Sequence, residues 1–183
     1  MERDAISADV RKGGLKSTTE IKILVLYLLI HIDEPLPASQ ISDLLHLDGI
    51  ANTFEVNDAF YQLEKNGLIY EDEELKGHYR INEKGKDAGQ TVQSAVPFTV
   101  REKSLNIAKK MLLRNKHLKE TEIKIERNED GNFITCSALE DGKAVMSFTL
   151  KAADDSQIFE IKENFLDDPA LYYRTLIDML TKK

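Results

Sequence analysis

Cysteine is almost missing from this chain: Cys136 is the one thiol in 183 residues. A disulfide framework is therefore excluded, and a lone thiol cannot build a structural zinc site. Long apolar runs are missing too. The longest, over 21–32, is about 12 residues and is interrupted by Lys22 and His31, short of the roughly 20 that cross a bilayer. No apolar stretch follows the mixed-charge opening Met1-Glu2-Arg3-Asp4, so no secretory signal is expected and the expected compartment is the cytoplasm. Catalytic signatures are absent as well: there is no G-x-G-x-x-G, Walker-type phosphate loop, G-x-S-x-G elbow or H-E-x-x-H. His31, His46, His78 and His117 stand far apart, and none has a partner at ligand spacing. No metal, no cofactor and no enzymatic activity are expected.

What is present is apolar material and charge. Hydrophobic residues make up 42% of the chain, which excludes wholesale disorder and suffices for a core. At roughly 100 to 150 residues per domain, the length fits one large domain or two small ones. The net charge of −7 is unevenly placed. Residues 1–96 carry 10 basic and 17 acidic side chains, whereas 97–183 carry 15 of each. A polyanion approaching the first half would meet the whole acidic excess.

Residues 1–16 are polar, contain Gly13-Gly14, and read as a mobile arm. Ser17-Thr18-Thr19-Glu20 has the form of a capping box. It opens a helix over 18–31 that is apolar nearly all round, a pattern that calls for cover on several sides, by its own domain and by a second subunit. Pro35 and Pro37 end it. A second helix is expected over 38–47, with Gly49 as its stop. A third is expected over 55–66, where Val56, Ala59, Phe60 and Leu63 form one buried stripe. Two short strands, 68–71 and 78–81, flank an acidic turn, and a further helix runs from Asn82 to Ala95.

Three compact helices followed by a hairpin and a helix form the winged type of helix-turn-helix, whose third helix can enter a DNA major groove. The residues also carry a resemblance. Thr19-Glu20-Ile21-Lys22, Ser39-Gln40-Ile41-Ser42-Asp43, Gly67-Leu68-Ile69 and Tyr79-Arg80-Ile81-Asn82-Glu83-Lys84-Gly85 resemble a bacterial family of predicted winged-helix proteins of unknown function. Pro97-Phe98-Thr99-Val100-Arg101-Glu102 and the region of Pro169, Leu171 and Tyr172 are similar to it too. The resemblance covers most of 17–183 and implies a transcriptional regulator, with no ligand or operator to carry over. Where the family more often has a hydroxyl residue at the start of the third helix, this chain has Glu55.

Past Pro97 the pattern is helical to about residue 118, then alternating. The helical stretch holds Arg101, Lys103, Lys109, Lys110, Arg114, Lys116 and Lys119 against one acid, Glu102. Ile123 and Ile125, then 133–139, then 144–150 read as an antiparallel meander with Gly-containing turns after Glu129-Asp130 and Glu140-Asp141. Cys136 falls mid-strand as a small core residue. Helices over 155–166 and 169–180 close the chain, the last with Asp168 as cap and Pro169 at its first position. The expected class is α+β: an arm (1–16), a winged-helix domain (17–96), a basic linking helix (97–119) and a small sheet covered by two helices (120–183).

If DNA is the partner, the third helix turns Asn57, Asp58, Tyr61 and Lys65 outwards, with Gln62 and Glu64 at the flank. Asn and Gln can read adenine edges, Lys can reach guanine or phosphate, and Tyr can bond a phosphate. Asp58, Glu64 and Glu55 oppose them, the last at a helix start where phosphate would otherwise find free amides. In the wing, Glu71, Asp72, Glu73 and Glu74 outnumber Lys76 and Arg80. The missing positive charge would come from Arg11, Lys12, Lys16 and Lys22, and from the basic helix through Lys103, Lys109, Lys110 and Arg114. The plainer alternatives are a solvated helix face and a basic linker paired with the acidic first half. Two functions therefore compete: a homodimeric DNA-binding regulator whose second domain dimerises or senses a ligand, and a protein-interaction module that uses the same scaffold without DNA.

Overall fold

The structure, a computed structural model, describes residues 10, 11 and 13–182. Lys12 and residues 1–9 of the expected arm lie outside the described residues. The chain is α+β, with seven α-helices and two three-stranded antiparallel sheets among the described residues. No helix among them is long and apolar enough to cross a membrane. It divides into two compact units, residues 1–110 and 111–183.

In the first unit, α1 (Thr18–His31) begins where Ser17 accepts the amide of Thr19. Eight of its side chains, from Ile21 to Leu29, are buried. They pack against α3 (Thr53–Lys65), α4 (Glu83–Val92), β3 (His78–Ile81) and the 3-10 turn Gln93–Ala95. The all-round apolar helix is thus covered within its own unit, and the expectation that a second subunit covers it loses its ground. Leu15 is buried too, and its amide donates to the carbonyl of Ile50 at 2.7 Å. The end of the segment read as an arm is therefore docked.

Between α1 and α2 (Ala38–Leu47) the chain forms β1 (Leu36–Pro37), which the sequence reading treated only as a helix stop. β1 pairs with β3, and β3 with β2 (Ile69–Glu71), giving the order β1-β3-β2 instead of a two-stranded hairpin. Proline is tolerated because β1 is an edge strand. Phe60 and Leu63 of α3 lie in the core as the stripe requires. The Phe60 and Tyr79 rings meet at 5.3 Å and tie the hairpin to α3.

α5 (Phe98–Lys119) is continuous, and the division between units falls inside it, after Lys110. Its first turns hold to α1: the Tyr27 hydroxyl donates to Glu102 at 2.7 Å, and Arg101 lies over the Tyr27 and Phe98 rings. Burial, and then the Glu102 carboxylate, raise the pKa of the Tyr27 phenol.

The second unit is a meander, β4 (Thr121–Asn128), β5 (Gly131–Glu140) and β6 (Lys143–Ala152), followed by α6 (Asp155–Asp167) and α7 (Pro169–Thr181). One face of β5 presents Ile134, Cys136 and Ala138 to Ile158 and Phe165. Phe165 meets Phe148 edge-on at 5.6 Å and Tyr172 at the same distance. Burial pushes the Cys136 thiol up to about 11, so it packs as a small apolar group. Arg114 bonds Glu163 at 2.6 Å, and the His117 Nδ1–H donates to the Leu166 carbonyl at 2.7 Å, joining the end of α5 to α6. α7 is capped by Asp168, as its sequence indicates, yet Pro169 is its one buried residue.

Gly85 in the first turn of α4 shows how tightly the first unit closes. A Cβ there would collide with the Leu68 carbonyl oxygen and crowd Ile81. At an exposed helix site Gly→Ala stabilises by about 1 kcal/mol. Here Gly85→Ala should instead destabilise, by about 1 to 3 kcal/mol as for other overpacked sites. The urea midpoint of the variant against the parent measures the sign directly.

Candidate nucleic-acid interface

The outward face of α3 is built from its start. Asn52 caps the helix by accepting the amide of Phe54 at 2.9 Å, so α3 begins two residues earlier than the expected Glu55. That earlier start places Phe54 on the helix, 76% exposed. Phe54 then stands one, two and three turns before Asn57/Asp58, Tyr61 and Lys65, all of them exposed. Sequence reasoning missed Phe54; the signal was the Asn52-Thr53 pair, a cap followed by a first helical residue. Leu47, 72% exposed at the end of α2, was missed as well.

Most of the polar groups on this face have internal partners. Lys22 Nζ donates to Gln62 Oε1 at 3.2 Å, and Gln62 Nε2 donates to the Asp58 carboxylate. The chain Lys22–Gln62–Asp58 therefore satisfies itself along α3. The buried Ser42 hydroxyl lies 2.8 Å from Asn57 Oδ1 and 2.7 Å from the Ala38 carbonyl. The Ser42 contact engages one lone pair of the Asn57 oxygen and leaves its amide hydrogens for an outside acceptor. Lys65 sits over the Tyr61 ring at 6.0 Å.

The hairpin formed by β2, β3 and their turn uses its acids on itself. Asp72 Oδ1 accepts the amides of Glu74 and Leu75, and its Oδ2 accepts Arg80 Nε at 2.6 Å. Glu71 accepts the amide of Gly77 at 2.6 Å, and Arg80 also reaches the Asp33 carbonyl. Two carboxylates that counted against a polyanion thus hold the turn in shape, while Glu73, Glu74 and Lys76 stay exposed. Through Asp72, Arg80 is held against the hairpin turn.

The candidate residues fall into separate groups. Lys22 joins α3 through Gln62, but Lys103 pairs with Asp48 at the end of α2, at 3.1 Å. Arg114 belongs to the second unit, against Glu163. Lys109 and Lys110 are exposed, and no ion pair or hydrogen bond joins them to α3 or the β2–β3 hairpin among the described residues. Arg11 and Lys16 are exposed as well.

The Arg80 hydrogen bond, helped by the Glu74 and Leu75 amides, holds the Asp72 carboxyl below its ordinary value of 3.8. A depressed pKa means that whatever Asp72 adds to the hairpin is present above the ordinary value and is lost as pH falls through the depressed one. Carboxyl-carbon NMR should find Asp72 titrating below its free value, and Arg80→Ala should move that titration upward toward about 3.9.

Comparison with known proteins adds one relationship. No curated protein and no solved structure matches the chain. The model of one family matches residues 21–180, nearly all of the sequence, and the chain belongs to that family, which is described as a domain of unknown function, DUF4364.

Proposed function

We propose that the first unit is a winged helix-turn-helix and that the protein is a DNA-binding transcriptional regulator, acting by binding rather than by catalysis. The observation that carries this reading is the exposed outward face of α3 within the order helix, strand, helix, helix, strand, strand, with the three strands paired antiparallel. In that arrangement the third helix is the one offered to a major groove and the β2–β3 turn is offered to the flanking backbone. Phe54 suits a thymine methyl, and Asn57 offers a donor to a base-edge acceptor. Lys65, Lys76, Lys109 and Lys110 supply the positive charge, since Lys22, Arg80 and Lys103 already have partners.

A second reading, an interaction module without DNA binding, draws on the same face. Phe54 and the 59% exposed Tyr61 bracket Asp58, an aromatic and acidic surface suited to a basic protein segment. The second unit serves dimerisation or sensing. The exposed Leu176, Ile177, Met179 and Leu180 of α7 favour a homodimer, in which an isologous contact would cover that face. Light scattering at micromolar concentration should give twice the 20.8 kDa chain mass, and a monomer would reject the dimer.

Fluorescence anisotropy with a labelled mixed-sequence duplex separates the two functions. A DNA-binding protein should bind at low salt and weaken with a slope of about 0.9 log units per tenfold salt for each phosphate contact. Replacing Lys109 and Lys110 by Gln should reduce that slope, with a smaller effect for Lys103→Gln, whose charge is paired. Asn57→Ala or Tyr61→Ala should change the preferred sequence, at about 1 to 3 kcal/mol for one base pair. Absence of binding at low salt by the folded protein would favour the interaction module.

A further inference from the structure

A cavity of about 460 Å³ opens in the second unit between the end of α5, the β5–β6 turn and the first turn of α7. Small-molecule sites are roughly 300 to 1,000 Å³. Its floor is apolar, made by Ala138, Leu139 and Val145, and the Tyr173 ring stands on the α7 side. Its charged lining has one sign: Glu120, Glu140 and Asp141 border it, and no lysine or arginine does. Glu140 and Asp141 take part in no ion pair among the described residues, and the Lys116 ammonium approaches Glu120 only to 3.9 Å.

We propose that this cavity binds a small organic cation with an apolar body, a primary amine in the simplest case. The inference deepens the sensing role proposed for the second unit by naming the class of effector. Asp141 and Gly142 both adopt positive φ, at 49° and 74°, the tight hairpin turn that sets the two adjacent carboxylates at the rim. His117 also lines the cavity; because its Nδ1–H donates to Leu166, its Nε2 is an acceptor in the neutral ring and suits an ammonium donor. The face of Tyr173 attracts a cation through its ring quadrupole. The start of α7 lies at the same place, where a bare helix end would favour an anion instead. That preference is weakened here: Pro169 has no amide, and the Asp168 carboxylate takes the amide of Leu171, leaving Ala170 as the one first-turn amide beside the cavity. The apolar floor supplies contact area for the body of the ligand, and the carboxylates set its charge.

The test uses the full chain and three probes of one shape: 2-phenylethylammonium, the neutral 2-phenylethanol and the anionic phenylacetate. Calorimetric titration and backbone amide NMR should show saturable binding of the cation, with shifts at 138–145 and 170–173. The alcohol should bind at least about tenfold more weakly, because it lacks the charge-assisted hydrogen bonds. Glu140→Gln combined with Asp141→Asn should lower the affinity for the cation by about tenfold or more; Asn tolerates the positive φ at 141, so the turn survives. An unchanged denaturation midpoint verifies that. Equal affinity for the alcohol, unchanged affinity in the double variant, or no saturable binding of the cation would each overturn the proposal. Duplex binding is read in a separate experiment, so its failure would reject the regulator and leave the cation site standing.

Discussion

The burial of α1 is the constraint on which the first unit depends. A helix with apolar residues on every side has no face to give to water, so the unit has to supply a neighbour in each direction. α3, α4, β3 and the turn at 93–95 do so, and Tyr27 adds a hydroxyl contact to the start of α5. The closeness of this packing shows at Gly89 of α4, where a Cβ would collide with Ile30 and crowd Leu26 of α1. It also decides which side of α3 is left over. Val56, Ala59, Phe60 and Leu63 must turn inwards, and the remaining side, with Phe54, Asn57, Asp58, Tyr61 and Lys65, is therefore left exposed.

Most of the fold was legible because it rests on local rules. The expected caps at Ser17 and Asp168 both accept backbone amides, and glycines follow α3 and stand in the hairpin turns where the chain must turn. The period of the buried stripe in α3 gave its outward face. What was not legible depends on distant partners. Leu36-Pro37 has no strand character of its own and becomes β1 only by lying beside Tyr79 and His78. The cover of α1 was misassigned in part to a second subunit because a one-dimensional pattern records that a face is apolar, not what lies against it.

The site followed the same division. Its exposed residues were read from spacing, but their availability was not. Arg80 and Lys103 meet the carboxylates of Asp72 and Asp48, which balance their charge locally, while Lys22 keeps its charge and is held in place by the Gln62 amide oxygen. The acids are changed as well. Glu71 and Asp72 accept backbone amides of their own turn, so part of the negative charge of the hairpin is structural. Net charge alone therefore misstates how this surface meets a partner, in both directions: fewer free cations and fewer free carboxylates than the sequence suggests.

Cys136 lies at the centre of the second sheet, on the middle strand, fully covered and with its thiol held protonated. Because thiol chemistry runs through the exposed thiolate, the folded chain is inert to alkylation and oxidation at its one sulfhydryl. Any modification that does occur must pass through a state in which the packing over β5 has opened. The rate of labelling thus records how often that layer opens, giving the second unit a built-in clock for local unfolding that the first unit does not share.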